Sequence, residues 1–278
     1  MKHQFAAVIN YCTNDYRFLK PNIGQLPNIG QLQQFCQQII IPYSDHFYDG
    51  TPENISLLKR SIRENPEACF IPFKYDPKKT INLWRGWQFL LRLLGLGRVW
   101  GPQYWLGYSR YLGFKNLNKK IDYVLFLDAD EIIDAKRFIN WLNSKQYLKY
   151  NAIKPANYWY WREPKYQATV WEDSALLVKK SYLKKQMFFD HDERHALYKS
   201  VPAPKLRHVL GSDNQPMIHH YGLARPKSAL LKKVACWGHT KDRNWTKLIN
   251  AEFSHPFSGT DFIYRRRYRT VKPFLTKV

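Results

Sequence analysis

Tyr123-Val124-Leu125-Phe126-Leu127 runs without a break into Asp128-Ala129-Asp130-Glu131. A short continuous apolar run reads as a strand buried on both faces, as in a parallel sheet covered by helices. Ligands of open α/β sheets bind outside the carboxyl ends of the strands. This strand therefore delivers Asp128 and Asp130 to the rim of a crevice. Carboxylates held so close repel one another unless a proton or a cation lies between them. Hard oxygen ligands suit Mg2+ or Mn2+. The competing reading is an acidic turn that caps the next helix, with Asp134 available as N-cap.

Other segments fit the same sheet. Phe5-Ala6-Ala7-Val8-Ile9 predicts a first strand, followed by a polar turn from Asn10 to Asp15. Ile39-Ile40-Ile41 predicts a second strand and Cys69-Phe70-Ile71-Pro72-Phe73 a weaker third. Between them, Asp49-Gly50-Thr51-Pro52-Glu53 predicts a tight turn at Gly50, a cap at Thr51 and a helix starting at Pro52, with Ile55, Leu58 and Ile62 on one face. Phe138, Trp141 and Leu142 mark a further helix, and Ser174-Ala175-Leu176-Leu177-Val178 a further strand. Alternation of this kind argues for an α/β domain with a mostly parallel sheet. The hexapeptide at 21–26 is repeated at 27–32, which is too short a repeat for a solenoid.

A chain of 278 residues can bury a sizeable core as one unit. Lys and Arg number 44 against 22 Asp and Glu, a formal charge of +22 that attracts polyanions: nucleic acid, anionic lipid or phosphorylated substrates. None of the cysteines Cys12, Cys36, Cys69 and Cys236 forms a CxxC pair, so neither a zinc site nor a disulfide framework is expected, and a reducing compartment fits. The first residues lack the apolar core of a signal peptide, and Leu83–Leu96 is too short and too charged to span a bilayer.

From Trp84 to Phe114, aromatic residues alternate with Arg85, Arg92, Arg98 and Arg110. The helical spacing of Leu83, Trp87, Leu90, Leu91 and Leu94 favours a core helix over one lying on an anionic membrane. Gly95, Gly97 and Gly101 interrupt it and could hinge a lid. Tyr158-Trp159-Tyr160-Trp161-Arg162 would send its two Tyr to one side and its two Trp to the other; it reads either as ring faces for stacking or as an edge strand with large side chains.

Two late segments are dense in titratable groups. Asp190-His191-Asp192-Glu193-Arg194-His195 offers a general base or a solvated charged turn. In Met217-Ile218-His219-His220-Tyr221-Gly222-Leu223-Ala224-Arg225-Pro226, an imidazole could complete a metal shell and Arg225 could hold a phosphate. Pro226 would then start a helix through Leu230, Leu231 and Val234.

Four segments together resemble the GT-A glycosyltransferases of the family 2 type, close to lipopolysaccharide-core and related bacterial glucosyltransferases. They are Val8–Asp15, the Asp49–Glu53 turn, the "L-D-A-D-E" form of the DxD motif at Leu127–Glu131, and the "H-Y" segment at His219–Gly222. The resemblance implies a GT-A-like, Rossmann-type, mostly parallel sheet with helices on both faces over residues 1–240, followed by a basic C-terminal extension over 241–278. It implies transfer of a sugar, with inversion, from a nucleotide-sugar donor to a hydroxyl of a glycan or lipid-linked acceptor. The setting would be cell-envelope polysaccharide synthesis in the cytoplasm; the basic balance and the 84–114 segment, which the family core does not explain, fit peripheral contact with an anionic membrane.

By the same resemblance Mn2+ or Mg2+ would be held by Asp130, Asp128 and His220. Asn10, Asp49 and Asp128 would surround the nucleotide, with Arg225 on phosphate. The catalytic base would be Glu193 first and Asp173 second. The family's acid five residues before the turn's Asp is replaced here by Ser44, and Asp45 lies one place on. Two other classes use some of the same features: a metal-dependent nucleotidyl- or phosphotransferase, and a basic nucleic-acid binder. The latter lacks a recognised motif, and the acidic triplet would repel its phosphates.

Overall fold

The computed structural model describes residues 3–19, 28–77, 101–190, 193–239 and 243–275. The first copy of the repeated hexapeptide, the Leu83–Leu96 stripe, Gly95, Gly97 and Asp192 lie outside them. In chain order the elements are β1 (Phe5–Asn10), α1 (Tyr16–Leu19), α2 (Asn28–Leu32), β2 (Cys36–Tyr43), α3 (Ile55–Glu64), β3 (Cys69–Pro72), α4 (Gly101–Lys115), β4 (Tyr123–Asp128), β5 (Glu131–Ile133) and α5 (Ala135–Asn143). Then come β6 (Ala152–Pro155), β7 (Asn157–Trp161), β8 (Glu163–Ala168), β9 (Leu176–Lys179), α6 (Glu193–Ser200), β10 (Lys205–Val209), β11 (Ile218–Leu223), α7 (Lys227–Cys236), α8 (Trp245–Glu252) and β12 (Tyr268–Thr270), together with short 3-10 turns.

The main sheet has the order β10-β6-β9-β4-β1-β2-β3. Neighbouring strands run parallel except β9, which is antiparallel to β4 and to β6. β1 and β4 are apolar at almost every position because both faces are covered. Ala7, Ile9, Leu125 and Leu127 point to a cluster with Leu58, Phe138 and Trp141. Ala6, Val8, Val124 and Phe126 point the other way, to Phe188, Leu197 and Val201. Helices therefore cover both faces, and the α/β, mostly parallel expectation holds.

Local chemistry sets the helix ends. Asp134 caps α5 by accepting from Arg137 N, as its position predicted. The α3 start was misplaced: Asn54 is its N-cap, accepting from Leu57 N, while Thr51 donates to Asp49 Oδ1 within the preceding turn. Leu58 is buried, but Ile55 is exposed because it stands at the first turn. Two glycines let α4 lie close to its neighbours: a Cβ on Gly113 would stand 2.3 Å from Val8 Cγ1, and one on Gly107 only 2.1 Å from the Phe188 carbonyl oxygen.

A second sheet, β12-β8-β7-β11-β5, packs beside the first. β7 is a central strand here, not an edge. Its alternation is as predicted: Tyr158 and Tyr160 join Phe18, Ile132 and Tyr221, while Trp161 joins Leu223, Leu230 and Trp245. Both sides of β7 are thus buried by rings, and that explains its large side chains. Beyond residue 240, Trp245 and Ile249 of α8 pack into that second cluster, and β12 pairs antiparallel with β8. Among the described residues no helix is long and apolar enough to cross a membrane.

Candidate active site

The chain enters the main sheet at β1, winds outward to β3, and returns to β1's other side with β4. This is a point where the strand order reverses, the place where open α/β sheets bind ligands. Asn10 and Asp128 are register partners at the carboxyl ends of β1 and β4. A cavity of about 420 Å3 opens beside them, lined by both of these residues and by Asp130, Glu193, His220 and Lys233 among others.

The antiparallel pairing of β11 with β5 sets His220 opposite Glu131, so His220 Nε2 comes within 3.7 Å of Asp130 Oδ1. Gly222 keeps this approach open: a Cβ there would lie 2.8 Å from His220 Nε2. The neighbouring His219 has a different role. Its Nδ1 meets the Tyr160 hydroxyl at 2.7 Å and its ring stacks on Phe274 at 4.0 Å. Burial holds its pKa down at about 3, so it is a neutral core residue.

Asp128 is held by two arginines. Arg110 Nη2 on α4 lies 3.3 Å from Oδ1, and Arg194 Nη2 on α6 lies 2.9 Å from Oδ2. Burial alone would raise this carboxyl, but Arg194 and Arg110 outweigh it and hold it below the usual range. Arg194 also grips the buried Glu131 through both carboxylate oxygens, and Glu131 accepts from Asp128 N at 2.9 Å. With its amide oriented to satisfy its neighbours, Asn10 donates to Ser109 Oγ at 3.0 Å and accepts from Arg110 Nε at 2.9 Å.

Arg110 also ties in Glu193. The same Nη2 that faces Asp128 lies 3.1 Å from Glu193 Oε2. Glu193 Oε1 is buried, accepts no hydrogen bond among the described residues, and lies 3.5 Å from His239 Nε2. Glu193 opens α6 at φ +50°, a left-handed conformation that a non-glycine residue holds only under constraint.

Asp130 is fully buried and faces a second pair of cations. Arg225 Nη2 reaches its Oδ2 at 2.8 Å, and the Lys233 ammonium donates to the same oxygen. Burial opposes ionisation of Asp130, yet Lys233, His220 and Arg225 hold its pKa far below normal. Arg225 is itself wholly buried, donating to Gly222 O, Asn14 O and Asp15 as well, so it stands behind Asp130 and not on the cavity wall.

The other expected residues lie elsewhere. Asp45 is largely exposed and paired with His46 at 2.8 Å. Asp49 is spent on Thr51, although Phe47 and Tyr48 of the same turn line the cavity. Asp173 is locked between Lys154 at 3.2 Å and Arg207 at 2.7 Å and is not on the cavity wall. Arg110, Arg194, Lys233 and Arg243 are site residues that sequence reasoning did not single out. Arg243 lines the cavity, lies 5.8 Å and 5.6 Å over the rings of Trp245 and Tyr264, and makes no ion pair among the described residues. The wall also carries Trp159, Trp237 and Tyr264.

The resemblance implies a divalent metal on Asp128, Asp130 and His220. Among the described residues no three His, Cys, Asp or Glu side chains converge so as to hold one. Both aspartates already face fixed cations, and burial raises the thiols of Cys12 and Cys236, the latter to about 12, so neither offers a thiolate. As arranged, these residues do not fit such a metal.

No family model and no curated protein matches the sequence. Among solved structures the chain is similar to 4-diphosphocytidyl-2C-methyl-D-erythritol synthase from Anaerococcus prevotii, at 10% identity over 82% of this chain and 96% of that one, TM-score 0.41. It is similar to the inositol-1-phosphate CTP transferase from T. maritima, at 9% identity over 89% and 96%, TM-score 0.41. It is also similar to residues 1–349 of S. aureus TarS, at 9% identity over 90% and 72%, TM-score 0.41. These are distant likenesses, and the cavity's own side chains decide what it does.

Proposed function

We propose that the chain is a glycosyltransferase that moves a sugar from a nucleotide-sugar to a hydroxyl acceptor with inversion. The observation that carries this reading is Arg110 Nη2 standing between Asp128 and Glu193, which leaves Glu193, a residue of the cavity wall beside the carboxylates at the end of β4, with one carboxylate oxygen that accepts no hydrogen bond among the described residues. Glu193 Oε1 accepts the proton of the acceptor hydroxyl as that oxygen attacks the anomeric carbon. The bond from the anomeric carbon to the phosphate oxygen breaks, and the nucleoside diphosphate leaves with the electron pair. Lys233 and Arg243 stabilise the developing charge on the diphosphate. Trp159, Trp237 and Tyr264 offer ring faces and edges for sugar units, a chemistry that suits a glycan or glycolipid acceptor.

The test is product analysis with a panel of nucleotide-sugars and glycan or lipid-linked acceptors. Glycosyl transfer releases a nucleoside diphosphate. Pyrophosphate release from a nucleoside triphosphate, with no sugar transfer, would replace this reading with nucleotidyl transfer.

A further inference from the structure

Lys233 sits at an unusual place for a surface-type cation. Leu230 and Val234, three residues before and one after, are buried in the cluster with Trp161 and Leu223, so the α7 face carrying Lys233 turns inward. Its ammonium donates to Asp130 Oδ2 and lies 3.5 Å from Asp15 Oδ1, while the side chain lines the cavity. An ammonium carries three donors. Asp130 takes one, and even with a second turned toward Asp15 at 3.5 Å, one remains for an oxygen in the cavity. A divalent ion on Asp130 would have to displace this ammonium and tolerate Arg225 at 2.8 Å from the same oxygen.

We propose that the Lys233 ammonium takes the place a divalent cation would occupy beside Asp130, and that the protein binds the donor diphosphate on this built-in cation without a metal. The diphosphate half rests on the glycosyltransferase reading above; the displacement of metal from Asp130 does not. A covalent cation on a packed helix is already oriented toward the site, so it needs no dehydration and no capture from solution.

The experiment is Mn2+ binding to the full chain without nucleotide, read as loss of the free-ion EPR signal. Wild type leaves the free-ion signal intact. Lys233→Ala, which frees Asp130 Oδ2, binds Mn2+ at least about tenfold more tightly than wild type, and the added Asp130→Asn change abolishes that gain. Lys233→Met serves in the same way if the alanine variant does not fold. Wild type that takes up one Mn2+ per chain, with the uptake lost in Asp130→Asn, overturns the proposal. A folded Lys233→Ala or Lys233→Met that gains no Mn2+ affinity also overturns it. Failure of every nucleoside diphosphate to bind, with or without Mn2+, contradicts the glycosyltransferase reading separately and leaves the Mn2+ result to decide the role of Lys233.

Discussion

Lys233 donates to Oδ2 of Asp130, the oxygen that Arg225 also reaches. Through this one atom the turn after β4, the helix α7 and the residues after β11 are fastened together. A carboxylate so placed is part of the fold as much as of the chemistry. Among the described residues, the buried charges beside it, Arg225 and Lys233, pair with it and with Asp15.

Asp130→Ala therefore destabilises the protein, because it leaves Arg225 and Lys233 buried beside each other with one partner lost. Breaking a buried pair from one side costs about 3–5 kcal/mol. Urea denaturation of the variant checks this, and a stability within about half a kcal/mol of wild type, the usual range for surface changes, contradicts the pairing.

Glu193→Gln keeps donor binding and loses transfer. A positioned base contributes roughly 10^2–10^4 in rate, and the loss falls on the chemical step. Asp173→Asn gives the opposite pattern: it leaves Lys154 short of its partner and lowers stability, while transfer by the folded protein persists. A dead Asp173→Asn beside an active Glu193→Gln moves the base to Asp173.

Much of this site was legible in the chain. A strand buried on both faces must be apolar throughout, so Tyr123–Leu127 announced itself, and the polar residues that end it, Asp128 and Asp130, had to lie at the strand's carboxyl end. The cations were harder to see. Arg110 comes from the helix just before β4, Arg194 and Lys233 from helices far along the chain, and only tertiary packing brings them to Asp128 and Asp130. Lys233 left one signal, its place on a helix face between the buried Leu230 and Val234. Arg194 stood in a charged run whose ordinary fate is solvation, and the buried Glu131 overrides that fate. Of the two readings open for β7, the edge strand fails, and the residues alone could not show it because bulky rings suit an exposed edge as well as a strand walled in by other rings.

Gly107→Ala tests the seat of Arg110. The added Cβ would stand 2.1 Å from the Phe188 carbonyl oxygen, a backbone atom that cannot swing aside. Overpacking of this kind costs about 1–3 kcal/mol. The shift of α4 also loosens Arg110 from Asp128 and Glu193, so thermal stability and transfer rate fall together. Normal values of both contradict the close packing of α4.

His219 gives a pH signature. Its folded pKa is depressed to about 3 from an ordinary 6.5, so between these values the unfolded chain binds a proton that the folded chain refuses. Stability is therefore fully present above the unfolded pKa and falls as the pH drops below it, by at most about 1.4 kcal/mol per unit from this group. Urea midpoints of wild type and His219→Gln compared from pH 7 to pH 5 isolate the effect. The wild type loses more stability over that range; parallel losses contradict a buried neutral His219.

The measurement that bears most directly on the account is calorimetric titration of chelator-treated protein with nucleoside diphosphates and their sugar conjugates. At least one diphosphate and its sugar conjugate bind one per chain in the presence of chelator, and at 100 times Kd such a ligand stabilises the fold by about 2.7 kcal/mol. The same titration of Lys233→Ala in chelator shows binding at least about tenfold weaker, a loss of about 1.4 kcal/mol. No binding by any nucleotide, in chelator or in Mn2+, or binding that Lys233→Ala leaves unchanged, contradicts the account.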